Sequence, residues 1–228
     1  MGQGFGAFGK MPNLGDFFHL NPPPGFVRGF DEWVQGAMRS SAQSAGEDWD
    51  TQYMSAPIWR FGFAAGLAGP SKIIGILMPS VDRVGRRFPL ALMANVDGDG
   101  SIATDHMTSS ATFDKLEDIA LAALDDSMNK DQLARLLGEI DAPLGREPSA
   151  VRKVGDTFVL SHSHPDRLAQ DVASGLFEIA GLRQPSLWST ILDGRCRALV
   201  CDGLPKAHQA SALFDMNAPI WGDARSGS

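Results

Sequence analysis

The run Lys72-Ile-Ile-Gly-Ile-Leu-Met78 constrains the fold more than any other stretch of the chain. From Ile73 onward every position is apolar, and a strand whose side chains alternate between two faces then presents apolar groups to both. Such a strand needs cover on each side, which points to a sheet buried between two layers. Pro79 ends the run, and the composition inverts: Ser80, Asp82, Arg83, Arg86 and Arg87 fall within eight positions, ahead of Phe88-Pro-Leu90. Polar residues projecting from the end of a buried strand serve no packing purpose, so they rank first as binding or catalytic groups.

Periodicity elsewhere supplies the layers. Gly4 to Phe8 reads as a short first strand. After the turn Pro22-Pro-Pro-Gly25, the residues Phe26, Phe30, Trp33, Val34, Ala37 and Met38 recur at helical spacing. Trp49 and Tyr53 suggest a second short helix, and Ile58 to Ala64 and Phe88 to Val96 read as strands flanking the buried one. Two helices follow, one with the stripe Leu116, Ile119, Ala120, Ala123 and Leu124, the other with Leu133, Leu136, Leu137 and Ile140. Asn129 and Gln132 stand at capping-box spacing before the second. Residues 141 to 156, with Pro143 and Pro148, read as a loop, and Thr157 to Leu160 as a short strand. Pro165 and Asp166 open a helix whose apolar positions are Leu168, Val172, Leu176 and Ile179, stopped at Gly181. Leu187 to Ile191 and Arg197 to Cys201 are the last strands, and Lys206 to Phe214 the last helix. Strands alternating with helices around a doubly buried strand predict a three-layer α/β/α sandwich with a mixed central sheet. No central linker divides the chain, so residues 1–222 are expected to form a single domain, followed by a loose tail at 223–228.

A formal charge of −7, from 20 basic and 27 acidic residues, works against adhesion to nucleic acid or anionic membrane. The longest apolar run is far short of the ~18 to 20 residues of a membrane span. The opening Met1-Gly-Gln-Gly-Phe-Gly has neither the basic start nor the apolar stretch of a signal peptide, so a cytoplasmic location is expected. Cys196 and Cys201 share one expected strand at an odd offset, which turns them to opposite faces roughly 17 Å apart and rules out a disulfide between them.

Several motifs have the spacing of a site without its context. Gly4-x-Gly6-x-x-Gly9 matches a dinucleotide fingerprint, but only three residues precede it and Pro12 soon follows, so the strand-to-helix junction is missing. Asp97-Gly-Asp-Gly-Ser101 starts like a calcium loop, yet Ile102 and Thr108 stand where glycine and glutamate are required, leaving a strand-exit turn. His162 and His164 could share a face as metal ligands, but no third ligand is near in sequence. No metal and no cofactor is expected.

The polar loop itself supports three readings. Ser80 and Asp82 invite a hydrolase, although the flanking glycines of a nucleophile elbow are absent and no histidine is singled out as base. Arg83 and Arg86, with Arg87, offer planar donors suited to a carboxylate or phosphate, as in an anion sensor or a protein contact. Alternatively Asp82 and an arginine simply tie the loop to the sheet.

Taken with Phe8-Gly-Lys-Met-Pro-Asn-Leu-Gly-Asp-Phe17, Pro185-Ser-Leu-Trp188 and Gly203-Leu-Pro205, the loop resembles the TagF (ImpM) family of type VI secretion accessory proteins. These segments follow the family's order over nearly the whole chain, although Ser189 stands where many members carry a second tryptophan. The resemblance implies a cytoplasmic post-translational repressor of type VI secretion, without enzymatic activity, that binds the forkhead-associated scaffold protein Fha. It also singles out Lys10 and Asp16 of the opening motif, and Trp188, as candidate contacts beside Ser80, Asp82, Arg83 and Arg86. A structural component of the secretion apparatus is a further possibility.

Overall fold

The computed structural model describes residues 4–141, 143–146, 151–155, 157–160, 167–192 and 194–222. Its strands are β1 (Gly6–Gly9), β2 (Phe18–Leu20), β3 (Trp59–Phe63), β4 (Lys72–Met78), β5 (Leu90–Val96), β6 (Val151–Val154), β7 (Thr157–Leu160), β8 (Pro185–Leu192) and β9 (Arg195–Asp202). Its α-helices are α1 (Phe26–Ala45), α2 (Trp49–Ser55), α3 (Ile102–Thr108), α4 (Ser110–Ala122), α5 (Lys130–Gly138), α6 (Leu168–Ile179) and α7 (His208–Ser211).

Seven strands form one sheet in the order β2-β1-β5-β4-β3-β8-β9, and β6 and β7 form a separate hairpin. β4 is central and buried at all its positions, as its composition demands. Ile74, Ile76 and Met78 of β4 point into one core, closed by Ile102, Phe113, Leu116, Leu133 and Leu137 from α3, α4 and α5. Ile73 and Leu77 point into the other, closed by Phe26, Phe30 and Val34 of α1, Tyr53 of α2, and Leu213 and Phe214 after α7. The expected three-layer sandwich is therefore present.

The expected mixed sheet is not. Each pairing in the large sheet is antiparallel. The short connections 64–71 and 79–89 return the chain directly to a neighbouring position, whereas a parallel neighbour needs a crossover of about a dozen residues or more. The helices between β5 and β8 join strands that are not neighbours, so they are not crossovers of the kind that alternation suggested.

Local chemistry places several elements as expected. Asn129 caps α5 reciprocally with Gln132, each side chain accepting from the other's backbone amide at 2.9 Å. Cys196 is exposed and Cys201 buried on β9, facing opposite ways. Gly6 to Gly9 is a strand with no helix after it, so the dinucleotide spacing lacks its anion-binding terminus. Other expectations are corrected. Val151–Val154 is a strand within the stretch read as loop, α7 covers only His208–Ser211, and Leu124 is exposed beyond the end of α4. The short elements β2 and α3 had no strong periodicity to reveal them. His162, His164 and the tail at 223–228 lie outside the described residues.

Candidate functional site

The chain leaves β4 at Pro79 and makes a compact turn before β5. Val81 bridges Arg87, Asp82 N–H donates to the Arg86 carbonyl at 3.1 Å, and Gly85 N–H donates to the Asp82 carbonyl at 2.9 Å. Gly85 has φ of 81°, a conformation that favours glycine and lets the turn close. The opening motif lies against this turn. Arg83 N–H donates to the Leu14 carbonyl at 2.9 Å, and the Ser80 hydroxyl donates to the Lys10 carbonyl at 2.8 Å.

Asp82 is the centre of the arrangement. Its carboxylate accepts from Lys10 Nζ at 3.0 Å, Arg86 Nε at 2.6 Å, and the amides of Arg86 and Val84 at 2.9 and 3.1 Å. Lys10 is also buried and lies 4.7 Å from the centre of the Phe17 ring. Burial alone pushes the Asp82 carboxyl up; the Lys10 ammonium, the two amides and the Arg86 guanidinium more than reverse this and hold it well below the ordinary carboxylate range. The Arg86 side chain is 56% exposed, yet it also donates from Nη2 to the Gly15 carbonyl at 2.6 Å. Behind the turn, the Tyr53 hydroxyl donates to the Ser80 carbonyl at 2.8 Å and accepts from the Ser80 amide at 3.0 Å. Burial pushes that phenol above its ordinary value. Arg87 pairs with Asp50 of α2.

Lys10, Ser80, Asp82 and Arg86 thus converge, as their sequence context suggested, but as an internal tie. Lys10, Ser80 and Asp82 are buried, and Ser80 is bonded to backbone and tyrosine rather than to a histidine. Asp16 and Arg83 stand on the exposed rim: Asp16 accepts from the Phe17 amide at 2.8 Å, and Arg83 packs over Gly15. Trp188 is not part of this group. It lies on β8, is completely buried, and packs against Trp33, Phe61 and Phe63 with ring centres 5.2 to 5.5 Å apart. Its expected role as a surface contact is corrected to a core role, worth about 3 to 5 kcal/mol by the usual cost of truncating a buried aromatic.

Two features escaped the sequence. A second buried ion pair, Lys72 Nζ to Asp105 Oδ2 at 2.5 Å, fixes α3 to the start of β4, helped by the Gly100 carbonyl at 2.7 Å. Ser101, whose hydroxyl accepts from the Ala103 amide, was the available sign of that helix. The second feature is α6, whose expected apolar stripe faces outward while Phe177 packs against the core. Asp171, Ser174 and Gly175 are its buried residues, with Ser174 and Thr104 of α3 hydrogen-bonded at 2.8 Å. Leu168, Val172, Leu176 and Ile179 are 41 to 56% exposed. Among the described residues no helix is long and apolar enough to cross a membrane.

An antiparallel sheet between two helical layers, with its polar strand-exit loop spent on holding the first motif in place, defines an α/β sandwich whose prominent charged cluster is structural. Its family is now clear. Residues 6–140 match the family described as the TagF N-terminal domain, type VI secretion system-associated, and the chain belongs to it. The fold is also that of a solved structure, PA0076 from Pseudomonas aeruginosa PAO1, with a TM-score of 0.78 at 24% identity, covering 93% of this chain and 94% of that one. No curated protein matches the sequence significantly.

Proposed function

We propose that this type VI secretion-associated protein is a cytoplasmic post-translational repressor that binds the Fha scaffold protein, withholds it from assembly of the secretion machine, and performs no chemical step. The observation that carries this reading is the outward apolar stripe of α6. A helix that buries its polar side and exposes four large aliphatic residues has the character of a surface meant to be covered by another protein. The exposed Arg83 and Asp16 add polar groups that a partner could meet elsewhere on the surface. The internal engagement of Ser80 and Asp82 supports recognition over catalysis, because neither is held ready for a substrate.

Deleting the protein is expected to raise effector release with secretion transcripts unchanged, and overproduction is expected to silence release. Purified Fha is expected to be retained by the immobilised protein. Unchanged secretion in both strains would remove the repressor reading; retention on assembled apparatus but not on Fha alone would assign a structural part instead.

A further inference from the structure

Between α3, α6 and the outer strands β8 and β9 lies a cavity of about 300 Å³, separate from the strand-exit loop. Phe113, Phe177, Leu187 and Val200 make its walls mostly apolar. Into one wall is set a polar pair, His106 Nε2 and Ser189 Oγ at 2.8 Å. His106 is buried; among the described residues its Nδ1 makes no well-formed hydrogen bond and lies beside the β3 backbone at Phe61 and Gly62, 3.2 Å from where a Cβ on Gly62 would stand. The volume falls at the lower end of the range of small-molecule sites, and a few polar groups in an apolar wall are the usual composition of one.

The charges around the cavity decide what can enter. Arg60 at the rim is already committed, giving Nε to Glu117 at 2.6 Å and Nη2 to Asp114 at 2.8 Å and to Glu117 at 3.0 Å. At this point of the rim one guanidinium meets two carboxylates, a local negative excess that opposes an anion. The apolar walls oppose any unpaired charge. Ser189 retains hydrogen-bonding capacity after its contact with His106, since a hydroxyl offers one donor and two acceptor sites. Catalysis is a poorer fit to the pair, because among the described residues no carboxylate orients the ring from Nδ1, which a serine–histidine nucleophile needs for a defined base.

We propose that this cavity binds a neutral, predominantly apolar small molecule whose single hydroxyl or carbonyl group meets the Ser189–His106 pair. The site is independent of the Fha reading, and either can fail without the other. The test is calorimetric titration of the full chain with 1-naphthol, and with 1-naphthoate as an anion of similar size, while the ring signals of His106 are followed by NMR. 1-Naphthol is expected to bind with a sub-millimolar Kd and to shift those signals, and 1-naphthoate to bind at least tenfold more weakly. Ser189→Ala is expected to weaken 1-naphthol at least tenfold in a protein that still unfolds cooperatively, although its melting temperature falls because the buried His106 loses its partner. Ala198→Trp, from the exposed strand β9, fills the cavity and is expected to abolish binding; Val200→Phe serves the same purpose if the first variant does not fold. Absence of saturable 1-naphthol binding at millimolar concentration, equal affinity for the anion, or full affinity in a folded cavity-filling variant would each overturn the proposal.

Discussion

The strand-exit loop at 79–89 and helix α6 contradict their own appearances in opposite directions. The loop has the composition of a contact surface, yet its central carboxylate is buried under Lys10 and tied to its own backbone. Helix α6 has the periodicity of a core helix, yet Leu168, Val172, Leu176 and Ile179 face outward, and Asp171, Ser174 and Gly175 face in beside Phe177. Composition tells which groups are present, whereas function depends on whether those groups are already satisfied. A charged cluster with its hydrogen bonds filled stabilises the fold. An apolar face left 41 to 56% exposed has surface still to bury.

The contrast can be broken most directly at Lys10. Lys10→Met removes the counter-charge of a buried carboxylate, an effect that exceeds the gain the pair itself provides. A fall in melting temperature of roughly 10 °C is expected, read by differential scanning calorimetry. A variant as stable as the parent would show that the loop is not a structural tie and would return it to the list of binding surfaces.

Acid separates the two regions next. Burial, together with the Arg60 charge, lowers His106 to about 4 against an opposing influence of the Phe61 backbone. Between pH 6.5 and about 4 the unfolded chain therefore takes up a proton that the folded chain refuses. Stability on this account falls as the pH falls through that window, by about 3 kcal/mol in total. Asp82 acts later: its folded pKa is depressed, so its contribution is whole above the unfolded value near 4 and is lost as the pH drops further. Hydrogen exchange is expected to accelerate in α3 before it does so around Asp82. Simultaneous loosening, or the reverse order, would mean that the two regions do not differ as described.

The smallest stability effect belongs to α6. Leu176→Asp changes an exposed side chain and is expected to alter stability by no more than about 0.5 kcal/mol while reducing Fha capture at least tenfold. Arg86→Glu is expected to do the reverse, lowering the melting temperature and reducing capture only as folding is lost. Full capture by Leu176→Asp would remove α6 as the docking face.

What could be read from the residues follows the range of the forces involved. The double burial of β4, the α1 stripe and the Asn129 capping box are local, and each was legible. The antiparallel order was less so, because alternation of elements does not state which strands become neighbours. The clustering of Lys10 with Asp82 needed a contact across 72 positions, and the family's order of motifs suggested proximity without stating that the contact was inward. Helical period revealed that α6 has an apolar face but not where that face would point, since orientation depends on groups such as Thr104 that compete for its polar side. Trp188 was misplaced for a related reason: a single aromatic in a motif looks the same whether a partner or the protein's own core receives it.

The sheet order has a consequence for how the protein is made. Strand β3 takes β4 as one neighbour almost at once, but its other neighbour, β8, does not appear until residue 185. At ribosomal rates of ~5 to 20 residues per second, that edge waits on the order of ten seconds for its partner. Throughout that interval the nascent chain carries an open row of amides and carbonyls beside Phe61 and Phe63, without the indole of Trp188 to pack on them. A fragment ending at residue 140, where the family match ends, would keep that edge bare permanently and would be prone to stick to its own copies.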